Sequence, residues 1–262
     1  MAGWNLIIYA PAYNVEKPIG ELLERAGLVA TELGKEGVSL ESFIIVEDGS
    51  RDNTLRVLEG LKSRCRWLDV IAKGRNEGPV KALFDGMARA LSIASERGYA
   101  ADRTIVARMD TDLEHQPEDL LRLVEPITSG STNMVVGYIP YDERSGQEAI
   151  EFNLRAGLEE SRKFLGADIP QFCPGFNAIR LDFFNKIHIE LVAEARKYER
   201  EMKEDMLAMD FVMLVIAKDL GWKPEIIRLR PIEDKWIKKP APEKMRYYLS
   251  CHERIMRFLE KS

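Results

Sequence analysis

The sequence predicts an α/β fold with a doubly wound, mostly parallel sheet flanked by helices. Through the first half of the chain, short apolar runs alternate with stretches whose apolar residues recur at helical spacing. The runs are continuous and do not alternate with polar residues, which is typical of parallel strands buried on both faces. Ligands of such sheets bind beyond the carboxyl ends of the strands, so the residues that follow each strand are the candidates for chemistry.

The first half contains five candidate strands, at residues 6–10, 43–46, 68–72, 105–107 and 134–136. Pro11 is expected to close the first strand, and helices are expected between successive strands. Helix starts are indicated by the capping string 52–54 and by Pro79 and Pro117, since proline is tolerated in the first turn.

Beyond residue 138 the alternation fades, and we expect a less regular half that lies on the same sheet. The expected elements are a helix at 148–165, a loop at 166–176, a charged helix through 199–203, a buried helix at 210–220, a strand at 225–229 and a tail helix at 245–259. No repeat or Gly/Ser-rich linker divides the chain, so the sequence predicts a single domain over 1–262.

Composition excludes several classes of protein. The 262 residues carry 38 basic and 43 acidic side chains, a net charge of −5 that disfavours nucleic-acid binding. The 3 cysteines lie far apart without a C-x-x-C pair, which favours a reducing, cytoplasmic compartment. The first lysine follows the first apolar stretch, so no leader is expected, and no apolar run approaches the ~18 residues of a membrane span.

Common phosphate-binding and nucleophile motifs are missing. The sequence has no G-x-G-x-x-G, no P-loop, no G-x-S-x-G and no histidine pair at zinc spacing. A sheet without a glycine-rich phosphate loop must hold anions in another way, and a divalent cation bound by carboxylates is the obvious one.

The acidic string after the fourth strand supplies such carboxylates. Asp110 and Asp112 stand at i and i+2, and in extended backbone these side chains share a face. Carboxylate oxygens suit Mg²⁺ or Mn²⁺, and Glu114, one step further, is a possible third ligand. The alternative is that Asp112 caps the next turn and its neighbours are solvated.

Four strings follow four candidate strands in order. They are P-A-Y-N at 11–14, I-V-E-D-G-S-R-D-N-T at 45–54, R-N-E-G at 75–78 and M-D-T-D-L-E-H-Q-P-E at 109–118. Over about residues 5–230 the chain thereby resembles the family 2 glycosyltransferases of GT-A fold. The last string is similar to the D-A-D-L-Q-H-P-P-E of the polyprenol-phosphate mannose synthases.

The resemblance implies roles for single residues on the donor side. The expected contacts to the nucleotide-sugar are Pro11, Ala12, Tyr13, Asn14, Asp48, Arg75, Asp110, Thr111 and Asp112. The first five would hold the base and ribose, Arg75 would pair with the base or diphosphate, and the last three surround the metal. For Asp48 an Asx turn before Gly49 is the alternative, and for Arg75 a solvated loop position.

An inverting member of the family needs a general base for a hydroxyl acceptor. In many members of the family, an E-D pair stands ahead of a helix that ends in glycine followed by an aromatic residue. Counting back from Gly221-Trp222, the aspartate of that pair falls on Asp210; Asp205 and Glu204 are the fallback. The alternative for Asp210 is a carboxylate favoured by the helix dipole. Residues 174–180 resemble the family's acceptor-side loop.

Two departures favour a hydroxyl acceptor over a lipid phosphate. Directly after the fifth strand the polyprenol-phosphate synthases have an arginine, whereas this chain has no basic residue until Arg144. Those synthases also carry glutamine at the position of Asp210. The tail helix is amphipathic, so it either packs on its own protein or lies on a membrane surface.

The sequence therefore predicts a metal-dependent, inverting glycosyltransferase that uses a UDP- or GDP-linked sugar and an unknown acceptor. Residues 1–138 would bind the nucleotide-sugar and 139–262 the acceptor, in a protein that is cytoplasmic or peripheral to a membrane. The alternatives are a polyprenol-phosphate sugar synthase, a sugar-phosphate nucleotidyltransferase and an inactive nucleotide-binding scaffold.

Overall fold

The computed structural model describes residues 3–139, 147–237 and 242–261. Its strands are β1 Trp4–Ala12, β2 Val38–Glu47, β3 Leu68–Ala72, β4 Thr104–Arg108, β5 Met134–Tyr138, β6 Phe176–Arg180 and β7 Glu225–Arg228. Its helices are α1 Pro18–Lys35, α2 Thr54–Leu61, α3 Pro79–Glu96, α4 Leu120–Thr128, α5 Gln147–Glu160, α6 Leu181–Met202, α7 Met209–Asp219 and α8 Pro242–Leu259.

The strands form a 7-stranded sheet in the order β3-β2-β1-β4-β6-β5-β7. Strands β1 to β4 pair in parallel, as do β5 and β7, and β6 runs antiparallel to both of its neighbours. The predicted α/β class and mostly parallel sheet are confirmed.

Helices cover both faces of the sheet because the strand side chains alternate between two apolar cores. Along β1, Ile7 and Tyr9 belong to the core under α3, α6 and α7, whereas Leu6 and Ile8 belong to the core under α1 and α4. The carboxyl ends of β1, β2, β3 and β4 therefore meet at one edge, between the two helical layers.

The observed element boundaries differ from the expected ones at three places. Pro11 does not close β1 but pairs with Val46, and since the pairing of β1 with β4 ends at Tyr9, the missing N–H breaks no ladder bond. The expected loop at 166–176 ends at residue 175, because residues 176–180, which resemble the family's acceptor-side loop, form β6. The charged segment 199–203 is only the end of the long helix α6, which stops at Met202.

The tail helix α8 packs on its own protein. Met245, Ile255 and Phe258 are buried, while Tyr247 and Leu249 on its outer face are 51% and 46% exposed. None of the helices in the described part of the chain combines the length and apolar character that crossing a membrane requires.

Candidate active site

The loop after β1 is fastened to the loop after β2. The backbone N–H of Asn14 donates to Ser50 Oγ at 3.0 Å, and Asn14 Oδ1 accepts from the N–H of Arg51 at 2.8 Å. Asn14 adopts a φ of 54°, a left-handed conformation that asparagine tolerates. The neighbouring Tyr13 is 39% exposed and lies at the surface of this joint.

Asp48 fastens the loop after β3 in the same way. Its carboxylate accepts the N–H of Glu77 at 2.9 Å and of Gly78 at 2.8 Å, and it is buried. Its own N–H donates to Ala12 at 2.9 Å, so Asp48 ties the ends of β1, β2 and β3 together. Its carboxylate thus accepts from the loop after β3 and does not form the Asx turn before Gly49 that was the alternative for this residue.

Arg75 lies at the rim of this joint. Its side chain is 81% exposed and pairs with Glu77 at 2.9 Å. Glu77 also pairs with the buried Lys73 at 2.9 Å. Lys73 has the largest effect on the pKa of the Glu77 carboxyl, and together with Arg75 it lowers that pKa to about 2. The guanidinium of Arg75 is thus anchored to its own loop and still open to solvent.

The acidic string after β4 is bent, whereas an extended backbone was expected there. The strand ends at Arg108, Leu113 has a φ of 64°, and Asp112 Oδ1 accepts the N–H of Glu114 at 3.2 Å in a tight turn. Glu114 is therefore not one extended step beyond Asp112. Thr111 is buried and donates to the carbonyl of Pro11 at 2.8 Å, so its hydroxyl joins β1 to this turn.

The donor chemistry of Asp110 and Asp112 fits a hard divalent cation, because both offer carboxylate oxygens. Across the described residues no group of three or more His, Cys, Asp and Glu side chains is arranged to hold a metal ion. Glu114 thus does not complete a preformed three-carboxylate cage. Mg²⁺ commonly takes one or two carboxylates and completes its shell with water and substrate phosphates, so two aspartates suffice.

The donor side and the acceptor side meet at Arg108, the last residue of β4. Its Nη2 lies 2.9 Å from Asp110 Oδ1, and its Nη1 lies 3.0 Å from Asp210 Oδ2. The side chains of Arg108 and Asp210 are only 8% and 11% exposed, so this pair is largely withdrawn from water, whereas Asp110 is 36% exposed. The structure thereby brings the predicted metal ligand Asp110 and the predicted base Asp210 to opposite sides of one guanidinium.

Asp210 is buried in the first turn of α7. Burial raises its pKa from 3.8 to about 6, and Asp110 raises it as well, while Arg108 acts in the opposite direction. A carboxyl that titrates near pH 6 is ionised at neutral pH and still basic enough to accept a proton.

The two fallback residues lie in the loop before α7. A Cβ built on Gly78 would come 3.8 Å from Asp205 Oδ2, so Asp205 lies over the loop after β3. Glu204 accepts from the hydroxyl of Tyr198 at 2.9 Å and pairs with Arg254 of α8. Glu204 is thus engaged in holding α8, whereas Asp205 faces the donor side.

His115 belongs to the site although the sequence assigned it no role. Its Nδ1 accepts the N–H of Asp110 at 2.9 Å, and its ring stacks on Phe176 at 5.0 Å between centroids. Burial lowers its pKa, so the ring is neutral at pH 7 and fixes the backbone that carries Asp110. Its place after the acidic string was the available signal.

Arg108 was also missed, whereas Gly175 and Asn177 beside it belong to the expected acceptor-side segment 174–180. A Cβ on Gly175 would lie 1.7 Å from Arg108 Nη1, so a glycine is needed beside the guanidinium. Asn177 pairs with Arg108 across β6 and β4, and both its amide atoms are buried without a hydrogen-bond partner in the described ranges. Pro140 and Arg144 belong to the stretch after the fifth strand whose lack of an early basic residue favoured a hydroxyl acceptor. Both lie outside the described residues.

The comparisons with known proteins identify the family. The model for "Glycosyl transferase family 2" matches residues 7–187. The chain belongs to this family.

Curated relatives agree with the motif likeness. The chain is 26% identical to the UDP-N-acetylglucosamine–dolichyl-phosphate N-acetylglucosaminyltransferase of Methanococcus voltae, over 52% of this chain and 53% of that protein. It is 32% identical to the undecaprenyl-phosphate 4-deoxy-4-formamido-L-arabinose transferase of Pseudomonas paraeruginosa, over 52% of this chain and 36% of that protein. The match thus spans about half or less of each relative's length.

Solved structures share the fold. The glucosyl-3-phosphoglycerate synthase of Mycobacterium tuberculosis, in complex with Mn²⁺, UDP and glucosyl-3-phosphoglycerate, aligns with a TM-score of 0.60 at 16% identity, over 98% of this chain and 79% of that one. The mannosyl-3-phosphoglycerate synthase of Rubrobacter xylanophilus aligns with a TM-score of 0.60 at 15% identity, over 97% and 72%. The GT-A fold expected from the sequence is confirmed.

Proposed function

We propose that the protein is a metal-dependent, inverting glycosyltransferase that moves a sugar from a UDP- or GDP-linked donor to a hydroxyl acceptor. The observation that carries the proposal is the meeting of Asp110 and Asp210 at Arg108, beyond the carboxyl end of β4. It sets a candidate metal ligand one side chain away from a candidate base, in a chain whose family transfers sugars.

The donor would bind where the loops after β1, β2 and β3 are joined. Residues 11–14 and Asp48 form the floor of this joint, and the exposed Arg75 stands at its rim. We assign the base and ribose to this floor. Asp48 already accepts two backbone N–H groups, so its part is chiefly to shape the floor, and Arg75 would contact the base or the diphosphate.

The diphosphate would lie at Asp110 and Asp112. These two aspartates would hold Mg²⁺ or Mn²⁺, with Thr111 securing the turn between them to β1. Such a cation neutralises charge on a leaving diphosphate. Neighbouring folds crystallised with Mn²⁺ and UDP support this choice of metal and nucleotide.

Asp210 would act as the general base. Its carboxylate takes the proton of the acceptor hydroxyl while that oxygen attacks the anomeric carbon, and the bond from that carbon to the diphosphate breaks. One displacement of this kind inverts the anomeric centre. Asp205, over the loop after β3, is the fallback base and stands nearer the donor joint.

A lipid-phosphate acceptor is the second candidate, because relatives are named as dolichyl-phosphate and undecaprenyl-phosphate transferases. Such an acceptor is already an anion and needs no base, and the enzyme would work at a membrane surface. A buried carboxyl poised at a pKa of about 6 is what a hydroxyl acceptor requires and a phosphate acceptor does not.

The test is sugar transfer by the purified protein from a panel of UDP- and GDP-sugars. Acceptors are small hydroxyl compounds, glycans and short-chain polyprenyl phosphates, each with Mn²⁺, with Mg²⁺ and with EDTA. We expect transfer that requires the cation and is lost in Asp112→Asn. Cation-independent transfer, or no hydrolysis or transfer of any donor, would contradict the proposal.

Asp210→Asn separates the two acceptor classes. With a hydroxyl acceptor we expect the variant to lose about 100- to 10,000-fold in rate, the usual contribution of a general base. With a polyprenyl phosphate the rate should hardly change. Asp168→Asn is the matched control, because Asp168 is 67% exposed and its partner is the surface residue Arg162.

A further inference from the structure

Arg108 lies between two carboxylates and is held there from three sides. Its Nη2 donates a hydrogen bond to Asp110 at 2.9 Å, and its Nη1 forms an ion pair with Asp210 at 3.0 Å. On the third side Gly175 leaves the space the guanidinium fills, since a Cβ there would stand 1.7 Å from Nη1. Gly175 and the two carboxylates thus confine the guanidinium, whose Nε and Nη1 have no hydrogen-bond partner among the described residues.

We propose that Arg108 is the positioning residue for Asp210: its guanidinium orients the Asp210 carboxylate toward the acceptor and links it to Asp110 on the donor side. The inference rests on the proposed function, in which Asp210 is the base. In the sequence alone, Arg108 is a polar residue at the end of an apolar strand, and nothing there indicates a role for it.

The surroundings of Asp210 leave this task to Arg108. A cavity of about 10 Å³, room for about one water molecule, is lined by Asp210, Arg108 and Tyr9 together with the apolar side chains of Leu83, Met87, Leu191, Met209 and Met213. Among the residues that line this cavity, Arg108 is the cation and pairs with Asp210.

The charged and titratable groups that face Asp210 come from three elements. Arg108 is the last residue of β4 and Asp110 follows that strand, Tyr9 lies in β1, and Cys173 precedes β6. Arg108 is the cation among them and favours the ionised carboxylate, while burial and Asp110 oppose it. A group that fixes both the direction and the charge state of a base acts on the rate of transfer more than on donor binding.

Three variants test the role. Arg108→Met removes the cation, Arg108→Lys keeps the charge but loses the fork, and Gly175→Ala keeps every charge and pushes the guanidinium aside. For Arg108→Met we expect kcat to fall about 100-fold, as for a misplaced catalytic group, with a smaller effect on the donor KM through Asp110. Gly175→Ala should show the same pattern more weakly, and Arg108→Lys should recover part of kcat.

The pH profile distinguishes positioning from general loosening of the fold. Loss of the cation raises the pKa of Asp210, so the acid limb of kcat/KM should move up by about 1 to 3 pH units in Arg108→Met. Arg108→Lys should leave the limb near its original pH. Arg162→Met, at an exposed Arg–Asp pair, is the control and should change neither kcat nor the limb.

A readout that needs no activity keeps this inference separate from the proposed function. In protein labelled with ¹³C at the aspartate carboxyls, the signal lost in Asp210→Asn identifies Asp210, and its titration is compared between the original protein and the variants. An upward shift in Arg108→Met supports the role even where no sugar transfer is found. Unchanged titration and unchanged kcat in folded Arg108→Met and Gly175→Ala would overturn it.

Discussion

Replacing Gly49 with alanine tests whether the donor joint is built as the structure shows. Gly49 follows β2 with a φ of +67°, and a Cβ there would lie 2.3 Å from the carbonyl carbon of Arg75 and 2.5 Å from the nitrogen of Asn76. Both contacts are to backbone, so no side chain can rotate away. The loop after β3 must move, and with it Gly78, which Asp48 holds at 2.8 Å.

The expected cost has two parts that Gly37 can separate. A left-handed alanine costs about 1–2 kcal/mol, of which about 0.4–1 kcal/mol is returned by the stiffer unfolded chain. Overpacking against backbone adds about 1–3 kcal/mol. We therefore expect Gly49→Ala to lower the free energy of unfolding by about 2–4 kcal/mol, and Gly37→Ala, with a φ of +78° but nothing within 4 Å, by about 1 kcal/mol or less.

Urea unfolding followed by circular dichroism measures both variants, and calorimetric titration with UDP or GDP and Mn²⁺ measures donor binding. Gly49→Ala should bind the nucleotide more weakly, while Gly37→Ala, at the opposite end of β2, should bind it as before. Equal stability losses in the two variants, or undisturbed nucleotide binding in a destabilised Gly49→Ala, would refute the reasoning.

Three further outcomes are expected. The rate of transfer to a hydroxyl acceptor should fall as the pH drops through about 6, because the raised pKa of Asp210 leaves its carboxyl protonated below that value; a kcat/KM profile flat from pH 5 to 8 would contradict this. Phe258→Ala, in the buried face of α8, should cost about 3–5 kcal/mol in urea unfolding, against less than about 0.5 kcal/mol for the 46% exposed Leu249→Ala, and similar losses would mean that α8 is not packed as described. Arg25→Met should lower the free energy of unfolding by about 1–3 kcal/mol, because it removes the guanidinium that lies 2.6 Å from the half-buried carboxylate of Glu118. An unchanged melting temperature would show that this pair contributes nothing to stability.

The regular half of the fold was predictable because its strands are buried on both faces. Continuous apolar runs such as 43–46 and 105–107 mark such strands in the sequence itself, and the helices between them carry clear apolar stripes. Strand β6 has no such mark. It carries the polar Asn177 next to its first residue and runs antiparallel to its neighbours, so its pairing depends on partners distant in the chain.

The site was predictable in part for the same reason. Asp110, Asp112 and Asp48 stand directly after strands, and the motif order pointed to them; their binding roles stay predictions. Arg108 could not be singled out, since its importance arises from Asp210, about a hundred residues further along. The bend at Leu113 was equally hidden, because a left-handed leucine leaves no signal in the sequence.

The most direct test of the account is nucleotide binding measured by calorimetry with and without a divalent cation. We predict that UDP or GDP binds in the presence of Mn²⁺ or Mg²⁺ and that EDTA abolishes the binding. In Asp112→Asn the cation should no longer strengthen nucleotide binding, whereas in Asp168→Asn it should do so as in the original protein. Equal affinity with EDTA and with Mn²⁺, unaltered in Asp112→Asn, would contradict the claim that these aspartates hold a cation for the diphosphate.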